Sequence, residues 1–111
     1  MKNARLEQLT EFLKNQPGDP FLKYAIATEY LKLDLDSLAL EGFERLVAEH
    51  PAYLGTYYHL GKLYEKLGKT AEAAETYRQG MEVARRQDNP RALAELRGAW
   101  DLISGTGEED D

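Results

Sequence analysis

Residues 57–81 read YYHLGKLYEKLGKTAEAAETYRQGM, and their spacing points to one architecture. Tyr57, Leu60, Tyr64 and Leu67 recur three and four positions apart, which places them on one face of a helix. Gly68 comes next and lacks the Cβ that penalises a left-handed helix end. Thr70 then opens a second run in which Ala73, Ala74, Tyr77 and Met81 share a face. The stretch reads as two amphipathic helices joined by a tight turn.

The same pattern stands 34 positions earlier at every matched place. Pro17 falls on Pro51, Tyr24 on Tyr58, Ile26 on Leu60, Tyr30 on Tyr64, Leu33 on Leu67, Ala39 on Ala73 and Phe43 on Tyr77. Asp19-Pro20 starts the first helix of that earlier copy, since the carboxylate caps free amides and proline suits the first helical position. His50-Pro51 stops its second helix. Before it, Leu6, Leu9, Phe12 and Leu13 stripe another helix that ends at Pro17-Gly18. After the second copy, Asp88-Asn89-Pro90 restarts the chain, and Leu93, Leu96, Trp100 and Ile103 stripe a last helix. No stretch alternates as a strand does, so the chain reads as all-α with six helices.

A helix-turn-helix period of 34 residues with small and aromatic side chains at set places resembles the tetratricopeptide repeat. The second copy is the closer likeness, with Tyr57-x2-Leu60-Gly61-x2-Tyr64 and then Ala73-x3-Tyr77. The first has Lys23-x2-Ile26-Ala27-x2-Tyr30, then Ala39-x3-Phe43 and a closing Pro51. Ala27 or Gly61, facing Ala39 or Ala73, lets paired helices approach closely, while Tyr30, Phe43, Tyr64 and Tyr77 fill the remaining space. Three positions depart from the pattern. Lys23 and Gly80 stand where an aromatic and an alanine are usual, and Arg85 stands where proline closes a unit. The resemblance implies a short right-handed α-solenoid, organised as one domain over 1–104. It comprises an N-terminal half-unit (3–16), repeats at 20–53 and 54–87, and a capping helix at 90–103, with 105–111 expected to be a disordered acidic tail.

The resemblance also implies a function. In this family the first helices of successive repeats line a concave groove that takes a peptide or protein segment. The matching positions are Phe21, Tyr24, Thr28 and Leu31 in the first repeat and Gly55, Tyr58, Lys62 and Glu65 in the second, with Lys66 one turn beyond Lys62. Tyr24 and Tyr58 lie off the apolar stripe of their helices, so each is available either for contact or for packing on the neighbouring helix. A subgroup of the family clamps chaperone tails with lysine and asparagine; here those places hold Tyr24, Tyr58, Thr28 and Lys62, and that clamp is not reproduced. Self-association through a repeat face or the terminal helices is the alternative reading. Trp100 discriminates: buried on Met81 and Val83 it caps the array, exposed it marks an interface.

Composition narrows the classes further. With 14 basic and 20 acidic side chains the chain carries a formal −6, which speaks against a generic nucleic-acid binder. The charge is uneven: residues 1–53 sum to −3, residues 54–87 to +2, residues 88–107 to −1 and the last four to −4. The basic second repeat therefore suits an acidic peptide, this chain's own tail, or the acidic half of another copy. Cysteine is absent, which removes disulfides, thiolate chemistry and cysteine-based metal sites. His50 and His59 have neither a second histidine at i+4 nor a neighbouring serine, and Gly105-x-Gly107 precedes acids rather than a helix. No enzyme, cofactor or metal site is expected. Nor is a membrane span, which needs roughly 18 apolar residues in a row. The first residues lack the apolar core of a signal peptide, so the expected setting is the cytoplasm.

Overall fold

The computed structural model describes residues 3–108 and is entirely helical apart from its turns. The six helices are α1 (Ala4–Asn15), α2 (Pro20–Lys32), α3 (Asp36–Glu49), α4 (Gly55–Lys66), α5 (Thr70–Arg86) and α6 (Pro90–Glu108). They fall into two compact units, Met1–Tyr53 and Leu54–Asp111, divided where the repeat register changes from the first copy to the second. Each unit carries its own buried side chains.

Local chemistry sets the helix ends. The Asn3 carboxamide accepts from the Leu6 amide at 2.8 Å, Asp19 from Phe21 at 2.9 Å and Asn89 from Ala92 at 3.0 Å, so α1, α2 and α6 each begin on a side-chain cap. The turn between paired helices repeats closely. The Leu35 amide donates to the Tyr30 carbonyl at 2.9 Å, and the Lys69 amide donates to Tyr64 at 2.8 Å. Each turn needs one left-handed residue, Gly68 (φ 77°) in the second repeat and Asp34 (φ 60°) in the first. After α5 the role falls to Asp88 (φ 54°). Aspartate is among the few residues with a Cβ that enter this region readily.

In the first unit, α2 packs on α1 and α3. Leu9, Leu22 and Ala25 form a buried cluster to which Leu13 and Ile26 add. Ala27, Ala39, Phe43 and Leu46 are almost wholly enclosed. Lys23, which replaces the usual aromatic, reaches Glu49 at 3.1 Å and closes the far end of the α2–α3 pair. One charged group is buried: Glu29 meets Arg5 of α1 at 3.4 Å and Lys32 at 3.9 Å.

In the second unit, α5 packs against both α4 and α6. Its core holds Tyr57, Leu60, Leu63, Ala73, Tyr77, Met81, Ala84, Leu96 and Ala99. Two glycines set the helix spacing. A Cβ on Gly61 would stand 2.6–2.7 Å from Cζ and Cδ1 of Tyr77. One on Gly80 would stand 2.6 Å from the Tyr57 Cβ and 3.1 Å from Leu96, so even the alanine usual at this place is too large here.

Arg85 has a similar explanation. A proline there would end the helix, whereas arginine lets α5 run to Arg86. The longer helix displaces its successor, so α6 matches α4 at a step of 36 rather than 34: Leu93, Leu96, Trp100 and Ile103 take the places of Tyr57, Leu60, Tyr64 and Leu67. At its other end α6 continues through Gly105-Thr106-Gly107 to Glu108, beyond the expected stop at Ile103. Glycine weakens a helix by about 1 kcal/mol per residue but does not forbid it, and no proline intervenes. Residues 109–111 of the expected tail lie outside the described residues.

Candidate functional site

The outward face of α4 carries a connected set of side chains, built up from a buried tyrosine. Tyr77 of α5 is fully enclosed, and its ring lies over Gly61 because that position has no Cβ to hold it off. Its hydroxyl donates to the Glu65 carboxylate at 2.5 Å, in the last turn of α4. Burial chiefly, and then the hydrogen bond and charge of Glu65, hold the Tyr77 phenol far above its ordinary range. Glu65 in turn lies 3.8 Å from the Lys62 ammonium. That ammonium sits 5.9 Å from the centre of the Tyr58 ring. Tyr58 packs at 6.4 Å on Tyr77 and edge-on at 5.9 Å to His59, yet remains 38% exposed. Burial lowers the pKa of His59, favouring its neutral form. Lys66 lies one turn further along α4.

Beside this face runs α6. Together Tyr58, Lys62, Ala94, Glu95, Gly98, Ala99 and Leu102 line a hollow of about 410 Å³. Its floor is made of small residues, and a Cβ on Gly98 would meet nothing within 4 Å. Its rim carries Leu102, which at 72% is the most exposed large apolar side chain among the described residues. An aromatic ring, a cation, a small-residue floor and an aliphatic rim can hold an apolar side chain with a neighbouring carboxylate.

The equivalent positions of the first unit are arranged differently. Tyr24 lies 6.4 Å from Phe43, the same separation as Tyr58 from Tyr77, so the register is reproduced in space. However, Tyr24 also packs at 5.5 Å on Tyr53, and burial raises its pKa. Gln87 stands 34 positions after Tyr53 in sequence but caps the longer α5. Thr28 turns its hydroxyl back to the Ala25 carbonyl at 2.9 Å, and Leu31 is half-buried. Phe43 has no hydroxyl and Leu31 no carboxylate, so the Tyr77–Glu65 bond has no counterpart. Phe21 and Gly55, at the starts of α2 and α4, are both exposed.

The structure thus brings Tyr58, Lys62 and Glu65 together within one unit, and keeps Tyr24 more tightly packed than Tyr58. Sequence reasoning missed the α6 lining, Ala94, Gly98 and Leu102. The available signal was Leu102, a large apolar residue off the stripe of its helix. Trp100 falls between the two expected outcomes: half-buried, it lines with Met81 a separate hollow between α5 and α6.

Among the described residues, no three histidine, aspartate or glutamate side chains gather as a metal site would require, and no helix is long and apolar enough to cross a membrane. No curated protein sequence matches the chain. The family profile of the tetratricopeptide repeat matches residues 54–87. The solution structure of a tetratricopeptide repeat domain protein from Salinibacter ruber is 51% identical, with a TM-score of 0.78, over 83% of this chain and 93% of that one. This chain belongs to the tetratricopeptide repeat family. A crystal structure of a Salinibacter ruber tetratricopeptide repeat domain protein agrees, at 52% identity, a TM-score of 0.76, and coverage of 79% and 98%. A protein from Bordetella parapertussis shares the fold at 18% identity, with a TM-score of 0.76 over 97% of this chain and 98% of that one. In tetratricopeptide repeat terms, α2 and α4 are first helices, α3 and α5 second helices, and α6 the first helix of a further half-unit.

Proposed function

We propose that this chain is a non-enzymatic scaffold that captures a segment of a partner protein on its first helices, with α4 as the anchoring helix. The observation that supports this most directly is Tyr58, a partly exposed aromatic beneath the Lys62 cation and beside the small-residue hollow closed by α6. Interface anchors are enriched in aromatic side chains with a polar end, and a ring held by Tyr77 and His59 loses little freedom on binding. The segment that fits has an apolar side chain for the space between Tyr58 and Leu102 and an adjacent carboxylate for Lys62. Lys66 extends the positive charge along α4. In α2, Tyr24 is engaged by Phe43 and Tyr53, so its contribution, with Thr28 and Leu31, is secondary.

Affinity capture from the native cell tests this reading. The double change Tyr58→Ala, Lys62→Ala should keep the helical circular-dichroism signal and lose the captured partner. Gly98→Leu should do the same by filling the hollow, since the added side chain meets open space rather than the core. Partner recovery equal to wild type from both variants would reject the α4 assignment.

A further inference from the structure

The flank of α6 that adjoins α5 lines a second, larger hollow, about 600 Å³. From α5 come Glu75, Arg78, Met81, Glu82 and Arg85, and from α6 come Arg97, Trp100 and Asp101. Within α5 the charges are already paired, Arg78 with Glu75 at 4.0 Å and Arg85 with Glu82 at 3.6 Å. Among the described residues, Arg97 and Asp101 are the lining charges without an ion pair. Between them stands Trp100, whose indole Nε1 is buried and has no hydrogen-bond acceptor.

Residues 97, 100 and 101 share one helical face, with the basic group one turn before the acidic one. Such an arrangement is complementary to itself. When two copies of this face meet about a two-fold axis near Trp100, the helices run antiparallel and each arginine lies opposite the other copy's aspartate. We propose that the α5–α6 face is where two copies of this chain pair, with Arg97 and Asp101 forming reciprocal ion pairs around apposed Trp100 rings.

Charge selects a second copy over an acidic ligand. The lining holds three arginines and three carboxylates, Arg97 and Asp101 included: Arg78, Arg85 and Arg97 with Glu75, Glu82 and Asp101. An acidic segment would lie beside those carboxylates, whereas another copy brings the same balanced set. The register argues against end-to-end stacking of repeats as the mode of pairing. Arg97 holds the place of Gly61, where a following second helix would have to approach closely. On α1, Arg5 likewise holds the place of Ala39 and Ala73. Stacking α1 of one copy on α6 of another would set those two arginines together at the closest point. Residues 97, 100 and 101 line the flank of α6 beside α5, and Ala94, Gly98 and Leu102 line the flank beside α4, with Asp101 and Gly98 adjoining on the exposed face between them.

Trp100 is the sole tryptophan, so intrinsic fluorescence reads this face directly. Sedimentation equilibrium of the full chain should show mass rising with concentration from 12.6 kDa toward twice that value, with Trp100 emission shifting in step. Arg97→Asp and Asp101→Arg should each weaken pairing on the order of a hundredfold, by setting like charges opposite one another. The double exchange Arg97→Asp, Asp101→Arg should restore it, as should an equimolar mixture of the two single variants. Circular dichroism checks that each variant is folded. A wild-type chain that stays at monomer mass at every concentration overturns the proposal. So does pairing in either single variant as tight as wild type, or a mixture that fails to recover it.

Discussion

The residue that lets paired helices approach closely sits on different helices in the two repeats. In the second repeat Gly61 of α4 leaves room for Tyr77, and the α5 residue beside that tyrosine is Thr76. In the first repeat Ala27 holds the place of Gly61, and the glycine lies across on α3 at Gly42, where a Cβ would stand 3.2 Å from that of Ala27. The requirement is for one missing methyl per contact, not for glycine at a fixed position. Tyr77 cannot yield to a methyl at Gly61, because its ring is enclosed and its hydroxyl is tied to Glu65. Gly61→Ala should therefore destabilise the chain by about 1–3 kcal/mol despite alanine's better helix propensity, and Gly61→Leu by more. Chemical denaturation measures both, and a midpoint unchanged by Gly61→Leu would contradict this packing.

At the scale of the elements, α1 joins the first unit through a charge pair. Glu29 holds the register place of the buried Leu63, and Arg5 that of the buried Ala39. A nearly enclosed carboxylate met by a half-exposed arginine and a more distant lysine recovers little more than its desolvation costs. Glu29→Leu should thus alter stability by no more than about 1 kcal/mol in either direction. Arg5→Ala should be the more harmful change, because it leaves the carboxylate enclosed with only Lys32 to answer it. Comparing the two thermal midpoints decides between this account and one in which the pair itself holds α1 in place. Much of the element layout is legible in the sequence: Asp19-Pro20, Asn89-Pro90 and Gly68 announce helix ends through local chemistry alone. The left-handed turns at Asp34 and Asp88 are not, since aspartate serves equally well in many other conformations. Nor is the buried role of Glu29, which on a helical wheel looks like any surface carboxylate.

For the whole molecule, burial raises the pKa of Tyr24, Tyr53, Tyr57 and, most strongly, Tyr77 and lowers that of His59, and these groups shape the response to pH. Tyr77 holds its proton more tightly when folded than at the ordinary tyrosine value of 10.0. Its contribution is complete below pH 10 and is lost as pH rises beyond it. His59 is shifted down from 6.5 by burial, so its contribution is complete above pH 6.5 and is lost as pH falls below. Thermal midpoints measured across pH should form a plateau between those limits. Tyr77→Phe should flatten the alkaline decline, and a variant declining as steeply as wild type would show that other groups cause it. At this scale, too, part of the site is readable and part is not. The repeat register locates Tyr58, Lys62 and Glu65. The α6 half of the hollow is concealed because Arg85 lengthens α5, and residues after it no longer match at 34.

Tyr53 follows the end of α3 by four residues, whereas the residue 34 positions on, Gln87, directly caps the longer α5. In the first repeat Tyr53 engages Tyr24; in the second, where α5 runs on instead of turning, Tyr58 stays on view. One side chain beyond the end of the second helix thus acts as a shutter on the tyrosine of the first. The shutter stands outside both the helix that displays the aromatic and the contacts that hold the pair together. Display and stability can therefore be adjusted separately, one repeat at a time.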